Sequence, residues 1–506
     1  MIKRYTHCML WVLLFLFIGC KKSDTTPTPP PLSTDKSITE FKFLKSLNAE
    51  LDADITGTIS GTGITVNFPV SFKKDGLIAT FTASPKSTVT VGATAQTSGQ
   101  TANSFAQPLT YTVKAEDGTS ASYTVTLNNI GIAANANINL TTSYNYELNN
   151  DEWINYSEQM PASLKFYNGG YLARISHDFD KDGDKDMIMG NLNYDDAKGQ
   201  LVNAPRPVNF LRNSGGVYTD ETASVFSGSV PGQVHPRKAV VADFDKNGWM
   251  DVVFAGHGFD APPFPGEQAL VMMNNNGKFT SSLLPQGGFF HSVCSGDVDN
   301  DGDIDLFFTD NKNQCKFFIN DGKGQFAYDA TVFPSDISNL NYFTSELYDL
   351  NKDGYLDLII AGHTHENAAP TVLWGNYTGK YSKSRSTVLP AVANWGVIID
   401  INLVDINGDG LQDIILDRQG DGTGSQQVFY GLYVQAIIQE NNKTFTDKTA
   451  TVISGNPVLT YPGISWFWID WLRIYDVDKD GDKDIIVDNK FFNMKWINQN
   501  GVFTKQ

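Results

Sequence analysis

Four cysteines in 506 residues are too few for a disulfide-built scaffold. Basic charge is also scarce: 38 Lys and Arg stand against 56 Asp and Glu, a net charge of −18, which is the wrong sign for holding a phosphate backbone. Nucleic acid is therefore excluded as an expected partner. The longest candidate for a membrane span, Cys8 to Ile18, falls well short of the roughly 18 residues a helix needs to cross a bilayer. No HExxH, GxSxG, Walker or dinucleotide-binding pattern occurs, so no familiar catalytic motif is visible. What the chain does contain is 41% hydrophobic residues, 12% aromatics and 44 glycines. That mixture excludes disorder and points to an all-β chain of two or three units with many tight turns.

Lys3 and Arg4 ahead of the short apolar run read as a secretory signal. The run ends in Phe17-Ile18-Gly19-Cys20, which resembles the bacterial lipoprotein box, with Phe17 in place of the usual Leu. The resemblance implies that Cys20 is lipidated and anchors the exported chain to the outer membrane, facing either the periplasm or the exterior. Residues 1–20 are then the signal peptide, and residues 21–37, with Pro27, Pro29, Pro30 and Pro31, a tether.

Residues 38–129 alternate polar and apolar positions in short runs, among them Ile64-Thr65-Val66-Asn67-Phe68 and Leu77-Ile78-Ala79-Thr80-Phe81, separated by turn signals such as Asp75-Gly76. A hairpin is expected where Tyr111–Ala115 and Ser122–Thr126 flank Glu116-Asp117-Gly118-Thr119. This is β-sandwich texture, and the stretch resembles the immunoglobulin-like or cadherin-like modules of bacterial surface lipoproteins.

From residue 131 to 506 one pattern recurs six times, at spacings of 52 to 71 residues: Asp-x-Asp/Asn-x-Asp/Asn-Gly-x-x-Asp between two apolar runs. Oxygen ligands at positions one, three, five and nine, a backbone carbonyl at seven and a turn-forming Gly at six suit one hard cation, and calcium fits best. Zinc would need His or Cys, which these loops lack. The expected ligands are Asp178, Asp180, Asp182, Asp184 and Asp186 in the first loop and Asp243, Asp245, Asn247, Trp249 and Asp251 in the second. Asp297, Asp299, Asp301, Asp303 and Asp305 follow, then Asp349, Asn351, Asp353, Tyr355 and Asp357. The last two sets are Asp405, Asn407, Asp409, Leu411 and Asp413, and Asp476, Asp478, Asp480, Asp482 and Asp484. Up to six Ca2+ ions are expected, bound more weakly where Asn247, Asn351 and Asn407 replace a carboxylate.

These loops resemble the calcium loops of FG-GAP/VCBS repeats, the integrin-alpha-like β-propeller family. The resemblance implies four-stranded blades around an axis: six repeats are visible, and seven blades are expected if residues 131–164 form a further blade without a loop, with six as the alternative. The repeat register puts Cys294 and Cys315 on the first and third strands of one blade, about 9.6 Å apart at two inter-strand spacings. That exceeds the roughly 7 Å a disulfide allows, so two buried thiols are expected.

Because each loop joins the first strand of a blade to the second, the far ends of both strands lie on the opposite face. Six residues past the loops come Leu192, His257, Asn311, His363, Gln419 and Lys490. Just ahead of the first strands come Tyr171, His235, His291, Tyr342, Trp395, Trp466 and Trp468. Aromatic planes among hydrogen-bonding side chains suit a sugar, so His257, His291, His363, Trp395 and Trp468 are the expected ligand contacts. The expected function is an exported calcium-binding surface lipoprotein that recognises a glycan or protein. Alternatives are a polysaccharide-cleaving enzyme, for which His363-Thr364-His365-Glu366 would offer a base or a metal site, and a structural module of an outer-membrane assembly.

Overall fold

A computed structural model of the chain describes residues 31–48, 51, 54–69, 74–130, 171–195, 198, 200–376, 378–441, 443–460, 469–487 and 494–506. Cys20, Trp466, Trp468, Lys490 and the expected extra blade at 131–164 lie outside the described residues. The chain divides into two compact units, Met1–Val66 with Lys74–Leu127, and Asn67–Lys73 with Asn128–Gln506.

The first unit is a sandwich of two antiparallel sheets. One contains Ile38–Phe43, Ile55–Thr56, Leu77–Ala83 and Ala102–Asn103; the other contains Thr58–Ser60, Gly63–Pro69, Thr88–Val91, Thr94–Ala95, Leu109–Lys114 and Ser120–Ile130. Alternation along each strand sends Phe41 and Phe81 from the first sheet against Tyr111 of the second, with ring centroids 5.3 and 5.7 Å apart. The expected hairpin forms, with Tyr111 opposite Tyr123 and Lys114 opposite Ser120. Its turn is held by Asp117, whose carboxylate accepts the Thr119 amide at 2.9 Å, while Gly118 takes the positive φ of 89° that a side chain would resist.

The second unit contains six four-stranded antiparallel sheets among the described residues, each with its strands in sequence order. Sheet one is Tyr171–His177, Asp186–Asn191, Asn209–Ser214 and Val217–Asp220; sheet two is Pro236–Ala242, Asp251–Gly256, Leu270–Asn275 and Lys278–Leu283. Sheet three is Phe290–Gly296, Asp305–Asp310, Lys316–Asn320 and Phe326–Asp329; sheet four is Tyr342–Tyr348, Asp357–Gly362, Thr371–Leu373 and Ser386–Val388. Sheet five is Val397–Val404, Asp413–Gln419, Tyr433–Asn441 and Thr444–Asp447; sheet six is Leu472–Tyr475, Asp484–Val487, Lys495–Gln499 and Val502–Lys505.

First and second strands are the most apolar and the most buried; Val252, Val253 and Phe254 are fully covered, as are Ile414, Ile415 and Leu416. Each first strand packs beside the first strand of the next sheet. Contacts also reach across the middle: Lys238 of sheet two pairs with Glu346 of sheet four and lies 3.9 Å from Asp400 of sheet five. Arg237 reaches Asp470, just ahead of sheet six, at 3.3 Å. First strands from sheets two, four, five and six thus converge on one axis, the arrangement of a propeller. Cys294 and Cys315 are both buried free thiols.

Candidate metal loops and binding face

All six acidic loops adopt one conformation. Position four has positive φ in each (62° at Lys181, 58° at Lys246, 63° at Asn300, 57° at Lys352, 72° at Gly408, 62° at Lys479), as does the Gly at position six. The carboxylate at position one accepts the amides of positions five and six: in loop two, Asn247 and Gly248 donate to Asp243 at 3.0 and 2.8 Å. Position five accepts the amide of position seven, as in Asp303 to Asp301 at 2.9 Å. These bonds curl the backbone so that the carboxylates at one, three and nine converge. Ligand atoms of Asp178, Asp180 and Asp186 lie within 4.8 Å of one another, as do those of Asp243, Asp245 and Asp251, and of Asp297, Asp299 and Asp305.

The Asp at position nine has a second task. In every repeat one carboxylate oxygen accepts the amide of loop position two and the other accepts an amide from the third strand or, in sheet four, from just past its end. In sheet three these are Val298 at 3.1 Å and Asn320 at 2.9 Å; in sheet four, Leu350 at 2.9 Å and Gly375 at 2.9 Å; in sheet six, Val477 at 2.7 Å and Asn498 at 2.7 Å. This Asp latches the loop to the blade. Burial pushes its carboxyl up, to about 7 at Asp186 and about 8 at Asp251, with the donated amides pulling the other way.

Sequence reading missed the partners that join one blade to the next. At the end of the third strand, Asn274 and Asn320 donate their side-chain amides to the position-two carbonyls of the preceding loops, Phe179 at 2.9 Å and Phe244 at 2.8 Å. Gln439 does the same to Leu350 at 2.9 Å. Position four reaches the other way: Lys246 pairs with Asp303 of the next loop, and Lys352 donates to the Gly410 carbonyl at 2.6 Å. Loop one differs from the others, because the Arg212 guanidinium from its own third strand contacts Asp180 and lies 3.1 Å from Asp186. A cation already occupies the space between those carboxylates.

On the opposite face the structure brings most of the expected histidines into one row of rings. Phe264 meets Phe289 (5.7 Å between centroids), Phe289 meets His257 (3.5 Å) and His257 meets His291 (4.5 Å). His291 meets Phe343 (3.9 Å), which stacks on His363 (4.6 Å), and His363 meets His365 (5.1 Å) and Phe429 (5.5 Å). These groups are more buried than their polarity suggests. His257 is 2% exposed and Trp395 is 6% exposed, and Trp395 packs on Tyr433 at 5.6 Å rather than offering an open plane. Gln419 is the fully buried last residue of its strand and donates to the Ile469 carbonyl at 2.7 Å. His291 and Tyr342 lie within their first strands, not ahead of them. Desolvation holds His235 down to about 3 and His363 to about 4, so both are neutral at ordinary pH.

The accessible part of this face comes from residues the sequence did not mark. Phe264 and Phe429, each partly exposed, sit at positive φ (55° and 56°) at the two ends of the ring row. Bulky side chains rarely adopt that conformation, and such strain collects at binding sites. His365, marked in the sequence as a possible base or metal ligand, is exposed and, like Phe429, packs on His363.

Comparison with known proteins bears on both units. Residues 38–127 match the family described as SGBP, N-terminal, and residues 297–360 and 349–416 match the FG-GAP-like repeat, spanning the third, fourth and fifth loops. No curated protein matches the chain. Among solved structures, a DUF4623 family protein from Bacteroides eggerthii is 11% identical with a TM-score of 0.30, over 93% of this chain and 99% of that one. A putative glycoside hydrolase from Bacteroides thetaiotaomicron is 12% identical with a TM-score of 0.16, over 49% of this chain and 55% of that one. The Tc holotoxin pore of Photorhabdus luminescens is 13% identical with a TM-score of 0.34, over 84% of this chain and 17% of that one. What the two family matches identify is a chain with an SGBP N-terminal domain followed by FG-GAP-like repeats.

Proposed function

We propose that this is an exported, surface glycan-binding protein, tethered through Cys20, whose propeller face opposite the acidic loops holds the sugar. The observation that carries this reading is the match of residues 38–127 to the SGBP N-terminal family, a family of cell-surface, glycan-binding proteins. The shape of the face agrees with it. Partly exposed Phe264 and Phe429 supply flat apolar planes, while Lys312, its ammonium 4.9 Å from the Phe264 ring centroid, and His365, packed on His363, supply directional donors, the combination a pyranose ring needs. A glycan array read with and without calcium tests the reading. Binding to a defined class of polysaccharide is expected, and an array without signal under both conditions would refute it.

The loops on the other face are proposed as calcium sites that hold the blades rather than the ligand. Their donors are hard oxygens only, and in repeats two and three the carboxylates at one, three and nine converge without an internal cation between them. Asp243, Asp245 and Asp251 would hold one ion, and Asp297, Asp299 and Asp305 another. When bound, the ion supplies the positive charge that these converging carboxylates lack. Loop one does not fit as well, because Arg212 already neutralises Asp180 and Asp186. Repeat one therefore joins two, four and five as a weak site. Replacing Arg212 with Met should tighten calcium at that loop by about tenfold or more, read as an added high-affinity phase in a calorimetric titration; an unchanged isotherm would mean that loop one ignores its arginine.

A further inference from the structure

One end of the ring row carries chemistry that sugar binding does not need. His235 and His257 flank the paired ends of the first two strands of sheet two, where Pro236 stands opposite Gly256 and the His257 amide donates to the His235 carbonyl at 3.0 Å. Their rings lie 4.5 Å apart. Ligand atoms of His235, His257 and Asp260 all fall within 4.8 Å of one another. His235 is 7% exposed, yet neither of its ring nitrogens finds a hydrogen-bond partner among the described residues. A buried imidazole with both nitrogens unpaired is costly unless something else takes a lone pair.

The tautomer of His257 follows from its neighbours. Its Nδ1 lies 3.3 Å from the Gly258 carbonyl, which can only accept, so Nδ1 carries the proton. Nε2 of the neutral ring is then bare, and it accepts the Nε2–H of His291 at 2.9 Å. A ring whose far N–H is fixed on a backbone carbonyl while its other nitrogen points into a cluster is the arrangement found around metal-ligating histidines. The backbone is fixed as well: the Glu267 carboxylate accepts the amides of Val234 and His235 at 2.9 Å each and of Gly258 at 3.0 Å. One buried carboxylate thereby sets the spacing of the two segments that carry the histidines. The Arg237 charge nearby is paired with Asp470 at 3.3 Å.

We infer that His235, His257 and Asp260 form a site for a divalent transition ion of the zinc class. Two imidazoles and one carboxylate are a donor set that such ions prefer over calcium or magnesium, and three protein ligands leave a coordination position open. Binding would take the Nε2 lone pair of His257 and release the bond from His291. The His291 ring, whose Nε2–H is aimed at that lone pair from 2.9 Å, must swing aside to admit the ion. The inference stands apart from the glycan reading, since the ion is read with no sugar present.

The test uses the purified full chain, stripped with chelator and returned to calcium buffer, then titrated with Co2+. Visible d–d bands of four-coordinate cobalt are expected, saturating at about one equivalent and bleached by Zn2+. Asp260→Asn, a change at an exposed side chain, and His235→Gln should each weaken uptake at least roughly tenfold, while Glu366→Gln in the neighbouring His363, His365 and Glu366 cluster should leave it unchanged. If His235→Gln does not fold, Asp260→Asn carries the test. The inference is overturned if no such bands appear, if Asp260→Asn binds as the unaltered chain does, or if Glu366→Gln abolishes uptake.

Discussion

Chelating calcium should lower the melting temperature of the propeller and leave the transition of the sandwich where it is. At a dissociation constant near 0.1 mM, usual for extracellular calcium modules, and about 1 mM free calcium, linkage adds about 1.4 kcal/mol per site. Loops three and six, which keep a full carboxylate set and, among the described residues, no arginine over it, together add about 3 kcal/mol, a large share of the stability of an ordinary domain. The acidic loops all lie in the second unit, and the chelator removes a positive charge from carboxylates that the fold has drawn together. Differential scanning calorimetry in calcium and in excess chelator reads the effect. A thermogram that does not move would show that the loops are acidic turns held by hydrogen bonds alone.

Replacing Asp305 with Ala should destabilise the propeller by about 2 to 6 kcal/mol, in chelator as well as in calcium. Both carboxylate oxygens accept buried amides, Val298 and Asn320, and each donor left unpaired costs about 1–3 kcal/mol. Asp301→Ala is the control: Asp301 Oδ1 accepts the Asp303 amide in an exposed turn, so its loss should cost no more than about 1 kcal/mol in chelator. Urea denaturation of the two variants under both conditions separates the latch from the ion. If Asp305→Ala were harmless in chelator, the ninth position would act through the metal only.

What could be read in the chain ahead of its structure follows from which contacts are local. The loops were legible because all nine positions are consecutive, so the carboxylate spacing and the Gly at position six declare the turn. The strands after them were legible as unbroken apolar runs, as at Val252–Phe254 and Ile414–Leu416. The stitches between blades were not. Asn274 meets the Phe179 carbonyl across 95 positions of chain, and a lone Asn at a strand end carries no mark of that. Arg212 likewise carries no mark in the sequence, and only the pairing of the second and third strands places it over Asp180 and Asp186. The binding face was located by topology, but its burial was misjudged. Polar residues such as His257 and Gln419 suggest solvent, whereas the ring row and the Ile469 carbonyl cover them. Phe264 and Phe429 were passed over because positive φ on an aromatic residue leaves no trace in composition.

The division of labour between the two faces can be tested by one titration series: the best polysaccharide from the array against the unaltered chain, Phe429→Ala combined with His365→Ala, and Asp409→Asn on the loop side, all in calcium. Loss of roughly 1 to 2 kcal/mol, about tenfold or more in affinity, is expected for the double variant, with Asp409→Asn binding as the unaltered chain does. A folded Asp409→Asn that no longer binds, beside a double variant with full affinity, would place the sugar on the loops and contradict the assignment.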